Sequence, residues 1–115
     1  MTINKVFISG NLTRDCEKKG SKDNPVVLFS VAVNERVKDG DEWVDKPNFI
    51  DCKAFGKYAA VMAPSLVKGA HVVIEGRLQQ DRWEKDGEKR SKVCVKCDNI
   101  ITPRPKADDN SEEPW

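Results

Sequence analysis

The residues of this chain best placed to do chemistry are large aromatics set among charges. Phe49 is flanked by Lys46, Asn48, Asp51 and Lys53, and Phe55 lies between Lys53 and Lys57. Trp83 sits in "QQDRWEKDG" beside Arg82, and Trp43 opens "WVDKPNF". A ring in such company is a poor core residue. It suits a platform on which an unpaired nucleic-acid base can stack while nearby cations meet the phosphates. Each stack of that kind is worth about 1–3 kcal/mol by alanine substitution, so several together support binding without any base code. The competing reading of the same rings is a lid over the end of a barrel. Phe7 and Phe29 lie in densely apolar runs and are expected in the core.

Other chemistries find less support. Of the four cysteines, Cys16, Cys52, Cys94 and Cys97, only the last two form a C-x-x-C pair. They lie in "SKVCVKCDNII", which alternates like a strand, and strand positions three apart face opposite sides of a sheet. The chain has no second such pair and a single histidine, His71, so a zinc site is not expected and no cofactor is implied. A thiol redox protein built on Cys94 and Cys97 is the third-ranked reading. No Ser/His/Asp set, phosphate loop or carboxylate cluster marks a catalytic centre, so the chain reads as a non-enzyme. The one helical stretch is Ala-rich with lysines only at its ends, which fits poorly with reading a duplex major groove.

These residues need elements to hold them. "INKVFISGNL" (3–12) is strand-like, and "TRDCEKKGSKDNP" (13–25) reads as a turn or short irregular strand. In "VVLFSVAVNERV" (26–37), Val27, Phe29, Val31 and Val33 share one parity. "KDGDE" carries an Asp-Gly hairpin signal, and "WVDKPNFIDCKAF" (43–55) returns as a strand. "GKYAAVMAPSLVKG" (56–69) changes period: Tyr58, Val61, Met62 and Leu66 predict a short amphipathic helix, interrupted at Pro64 and ended by Gly69. Residues 70–83 and 90–103 are strands joined by a second Asp-Gly tip in "EKDGEK". The order of three strands, one helix and two strands predicts an all-β fold: a five-stranded Greek-key OB barrel with long basic hairpins. The expected organisation is a barrel at 1–103 and an acidic tail at 104–115.

The charge is split along the 115 residues. All twenty Lys and Arg, but only fifteen Asp and Glu, lie within residues 1–107, leaving that part at +5. The last eight, "DDNSEEPW", hold four carboxylates and no cation. A basic body suits a polyanion, and an acidic end suits a basic partner surface. Trp115 falls outside any expected core. No apolar run approaches the roughly 20 residues of a membrane span, and no signal peptide is evident, which makes the cytoplasm the expected compartment.

With these residues in view, the chain resembles the bacterial single-stranded DNA-binding protein family. "NKVFISGNLTRDCE" is similar to that family's opening strand and turn, with Cys16 where a proline is usual. "FSVAVNE", "FIDCKAFGKYA" and "LVKGAHVVIEGRLQQDRW" resemble its later strands and helix, so the likeness covers residues 3–103. The resemblance implies an OB fold, usually a homotetramer with a homodimer as the other option, that binds single-stranded DNA in replication, recombination and repair. It places stacking roles on Phe49, Phe55 and Trp83 and phosphate contacts on Lys5, Lys57, Lys68 and Arg82. Trp43, Lys53 and Arg77 complete the expected binding set. It also implies that Asp108, Asp109, Glu112, Glu113, Pro114 and Trp115 form a tip that docks on replication and repair proteins, and it implies a nucleoid-associated protein of bacterial or phage origin. About a dozen residues follow Thr102, reaching about 45 Å when extended, which predicts that the tip competes with DNA for the basic groove. An OB protein of the primosomal replication type, which mainly contacts other proteins, is the alternative; that group lacks such a tail.

Overall fold

The computed structural model describes residues 1–102, so the tail positions 104–115 lie outside the described residues. The strands are β1 (Val6–Leu12), β2 (Glu17–Gly20), β3 (Pro25–Asp39), β4 (Glu42–Phe55), β5 (His71–Lys85) and β6 (Glu88–Ile101). Between β4 and β5 run helix α1 (Gly56–Met62) and a 3-10 turn, Ala63–Ser65. The sheet order is β1-β5-β6-β4-β3-β2, and β1 also pairs with β3. That extra pairing closes five strands into a barrel, while β2 lies outside the ring as a short addition to β3. The polar stretch 13–25 thus supplies β2, and the closed ring is the five-stranded OB barrel.

Alternation decides which side chains fill it. Val27, Phe29 and Val31 of β3 are buried, and across the register they face Ala54, Cys52 and Ile50 of β4, the first two of these also buried. Val72 and Ile74 of β5 and Val95, Cys97 and Ile100 of β6 complete the core. Strand curvature depends on two glycines. Gly10 lies just before β1 passes from β5 to β3, and a Cβ there would collide with the carbonyl oxygen of Ala32. Gly76 lies at an irregularity in the β5–β6 register, and a Cβ there would strike the carbonyl oxygen of Lys96. In both places the barrel bends because one backbone can press directly on another.

Phe7 corrects the sequence expectation. It is 67% exposed and points outward, with Lys5 Nζ 5.6 Å from its ring centroid. The buried parity of β1 belongs instead to Val6, Ile8 and Leu12, which pack on the core, so Phe7 shares the outer face with Lys5, Ser9 and Asn11.

The helix also turns differently from its apolar spacing. Ala59, Ala63 and Leu66 are buried and Met62 packs beside them, whereas Val61 is exposed. Small alanines let the helix sit close over the barrel, and Leu66 fills the space they leave. Pro64 has no N–H for an α-helical bond, and the chain tightens at that point into the 3-10 turn, closed by the Leu66 N–H donating to Ala63 O at 3.0 Å. Tyr58 serves as a tie rather than as packing. Its hydroxyl accepts the Ile100 N–H at 2.6 Å and lies within donating distance of Ile100 O, 2.9 Å, and Asn99 Oδ1, 3.0 Å. His71, at the start of β5, is bonded through Nδ1 to Asn11 Oδ1 at 2.9 Å and joins β5 to β1.

Candidate nucleic-acid interface

Two long antiparallel hairpins, β3–β4 and β5–β6, carry the aromatics. The first turns at Gly40–Asp41, with Gly40 at φ 68°, and its pairs run from Asp39↔Glu42 down to Val26↔Phe55. The second turns at Asp86–Gly87, where both residues have positive φ (54° and 81°), the conformation required by a type I′ turn. Asp-Gly is the pair that adopts it most readily, which explains why the second tip was placed correctly from sequence.

On β4 the even positions Ile50, Cys52 and Ala54 point inward, so Trp43, Phe49, Asp51, Lys53 and Phe55 share the outer face. On β5 beyond Gly76, Arg77, Gln79, Asp81 and Trp83 face the same way, opposite Lys96, Cys94, Lys92 and Arg90 of β6. The parallel pairing of Lys53 with Lys96 joins the two hairpins into one continuous face. Trp43, Phe49, Phe55 and Trp83 are each between 40% and 65% exposed there. Each of these rings therefore leaves a large part of its surface free for a ligand.

The cations of this face are held by carboxylates. Lys53 is bonded to Asp81, and Lys92 Nζ lies 2.7 Å from Asp51 Oδ2. Arg77 Nη2 is 3.2 Å from Asp98 Oδ1, and Lys5 is paired with Glu75. Hydrogen bonds from Lys53 and Gln79 hold the Asp81 carboxyl below its ordinary value of 3.8, whereas the hydrogen bond to Asp51 raises the Lys92 ammonium above 10.5. Lys96 is the exception among the described residues: its Nζ lies 5.3 Å from the Phe55 ring centroid, a cation–π contact.

The expected site residues do not all converge. Trp43, Phe49, Lys53, Phe55, Arg77 and Trp83 share the face, and Lys5, just before β1, adjoins it through its bridge to Glu75 of β5. Arg82 points to the opposite side of β5, bonded to Gln80 Oε1 at 2.9 and 3.2 Å. It does line a groove of about 570 Å³ near the hairpin tip with Trp83, Lys89 and Arg90, so it borders the site at its edge. Lys57 lies on α1 just past Phe55, and Lys68 lies in the loop before β5, where its backbone N–H donates to Asp15 Oδ1 at 2.8 Å. Sequence reasoning missed Lys92 and Lys96. Their parity with Arg90, counted along β6, was the available signal.

The cysteines separate as strand geometry dictates. Cys97 packs in the core with Cys52, whereas Cys94 lies on the other side with Sγ 3.8 Å from Asp81 Oδ2. Burial raises the Cys94 and Cys16 thiols, and hydrogen bonding to Cys97 together with burial pushes Cys52 far up. Such thiols stay protonated and weakly nucleophilic at neutral pH. Among the described residues no group of three or more metal-ligating side chains comes together.

Comparison with known proteins agrees with the fold. The model of the single-strand binding protein family matches residues 3–102. A single-stranded DNA-binding protein of Treponema pallidum is 43% identical over 99 residues, covering 85% of this chain and 56% of that protein. One from Aquifex aeolicus is 43% identical over 107 residues, covering 90% and 73%. The chain thus spans little more than half of the Treponema protein. Among solved structures, the small single-stranded DNA-binding protein of Streptomyces coelicolor superposes with a TM-score of 0.69 at 26% identity, covering 89% of this chain and 95% of that one. A deletion mutant of the Thermus aquaticus single-stranded DNA binding protein gives 0.78 at 27%, covering 91% and 52%. The closed barrel and a family match spanning β1 to β6 lead to one conclusion: the chain belongs to the single-strand binding protein family.

Proposed function

We propose that this chain binds single-stranded DNA without base preference and shields it during replication, recombination and repair. The observation that carries the reading is the co-facial placement of Trp43, Phe49, Phe55 and Trp83 among Lys53, Arg77, Lys92 and Lys96. Single strands expose base faces, and every base has one, so ring stacking is tolerant of sequence. Duplex DNA hides those faces in its stack. Lys5, Lys57, Lys68 and Arg82 extend the phosphate path around this centre. Binding is by contact and charge alone, with no catalytic step and no cofactor.

The barrel at 1–103 carries this activity, and the acidic segment 104–115 recruits replication and repair proteins. Its chemistry supports that role: Asp108, Asp109, Glu112 and Glu113 suit a basic rim, and Pro114 and Trp115 suit a small apolar pocket. Assembly is a homotetramer. In support, residues 6–10 of β1 pair only with β5 among the described residues, leaving one strand edge open beside the exposed Phe7 and Ile3. No helix of the described residues is long and apolar enough to cross a membrane; the proposed location is the cytoplasm, on nucleoid DNA.

The test is a competition experiment. The full chain, bound to a labelled oligo-dT, is challenged with unlabelled single strands of mixed sequence and with the corresponding duplex. Single strands of any sequence should displace the label and the duplex should not. Equal displacement by the duplex would overturn the reading.

A further inference from the structure

The aromatic face contains more cations than it offers to a ligand. Lys53 and Lys92 stand near its centre, and both are engaged by carboxylates reaching over from the other hairpin. Asp81 of β5 takes Lys53 of β4, and Asp51 of β4 takes Lys92 of β6. Both bridges lie near where the strands part, since β4 and β6 pair only at Cys52↔Val95 and Lys53↔Lys96. Beyond those pairs the hairpins diverge around a cleft of about 160 Å³, whose charged lining is these four residues together with Arg14 and Glu17.

We propose that Asp51 and Asp81 are specificity-determining residues of the DNA site, occupying Lys92 and Lys53 in the free protein where phosphates take their place in the complex. The proposal rests on the reading that this face binds single-stranded DNA. Binding at the centre is then an exchange, in which a phosphate displaces a carboxylate that stays nearby and repels it. Phosphate contact alone gains little from such an exchange. A ligand that also stacks bases on Phe49, Phe55 and Trp83 gains enough to drive it. The carboxylates therefore filter polyanions: single strands bring both phosphates and base faces, whereas a duplex brings phosphates only. They also hold the two lysines extended over the cleft, in position for the phosphates that replace them.

This predicts a pattern that simple loss of a structural bridge would not produce. The full chain and its D51N and D81N variants are titrated with oligo-dT and with a duplex of equal length, over a range of salt. Each Asn variant should bind the duplex roughly three- to fivefold more tightly at low salt. Oligo-dT should gain less, so that the preference for single strands falls. The double variant should show a steeper dependence of log K on log salt. The effect of D51N should vanish in a K92M background, and that of D81N in a K53M background, which keeps the test valid even where the double variant folds poorly. A wild-type chain that binds oligo-dT while the Asn variants keep the same preference, or bind both ligands more weakly, would overturn this inference alone. A wild-type chain that fails to bind oligo-dT would overturn the underlying reading as well.

Discussion

Trp83, Phe49 and Phe55 should behave as separable stacking units because each ring lies on the solvent side of its strand and takes no part in the core. Replacing any one with alanine is expected to weaken oligo-dT binding by about 1–3 kcal/mol. Stability should stay within about 0.5 kcal/mol of the parent, as for other surface substitutions. Binding isotherms and thermal melts on the same samples check both halves. The ion pairs give a pH signature at the same scale. The Asp81 carboxyl is lowered in the folded chain by its bonds to Lys53 and Gln79. Its contribution to stability is therefore complete above the unfolded value and is lost as pH falls below about 3.8 through the folded value. Lys92 is raised, so its contribution is present below 10.5 and is lost as pH rises beyond it. Denaturation curves across pH should show D81N removing part of the acid limb and D51N part of the alkaline limb.

At the scale of elements, the hairpins and their faces were largely legible in the sequence, because a period of two and a glycine at the tip are strong local signals. The first hairpin nevertheless turns at Gly40–Asp41, one residue past the Asp39-Gly40 pair. The four exposed aromatics were found by their charged neighbours. Phe7 was misread for a related reason. Apolar residues on both sides of it masked the alternation that puts Val6 and Ile8 inside. The helix shows the limit of spacing arguments, since Tyr58, Val61 and Met62 fit an apolar stripe, yet the barrel mouth accepts the narrower Ala59–Ala63 side. The ion pairs between the hairpins were not legible at all, because they join β4 to β5 and β6 through a register that only the closed barrel creates. Two substitutions test the element account. Leu66→Ala should destabilise the fold by about 2–5 kcal/mol by opening a cavity under the helix. Gly76→Ala should also destabilise it, because the added Cβ meets the Lys96 carbonyl. Urea denaturation measures each, and an unchanged midpoint in either would contradict the packing described.

For the whole molecule, the barrel closes through two narrow seams, β1 with β3 at Asn11 and Leu12 and β4 with β6 at Cys52 and Lys53. The core and the helix plug therefore hold the ring together, while the long hairpins extend beyond it and carry the aromatic face. The open edge of β1 predicts association of copies of this chain, and sedimentation at micromolar concentration should find a tetramer; a monomer would remove that part of the proposal. The central claim is the aromatic, cation-lined face, and tryptophan emission reports on it, because two of the chain's three tryptophans, Trp43 and Trp83, lie there. The decisive measurement is a titration of the full chain with oligo-dT at several salt concentrations, followed by tryptophan fluorescence. Quenching that saturates, with an affinity that falls linearly in log salt, is the predicted result. Emission that stays constant, with no salt-dependent binding, would contradict the account.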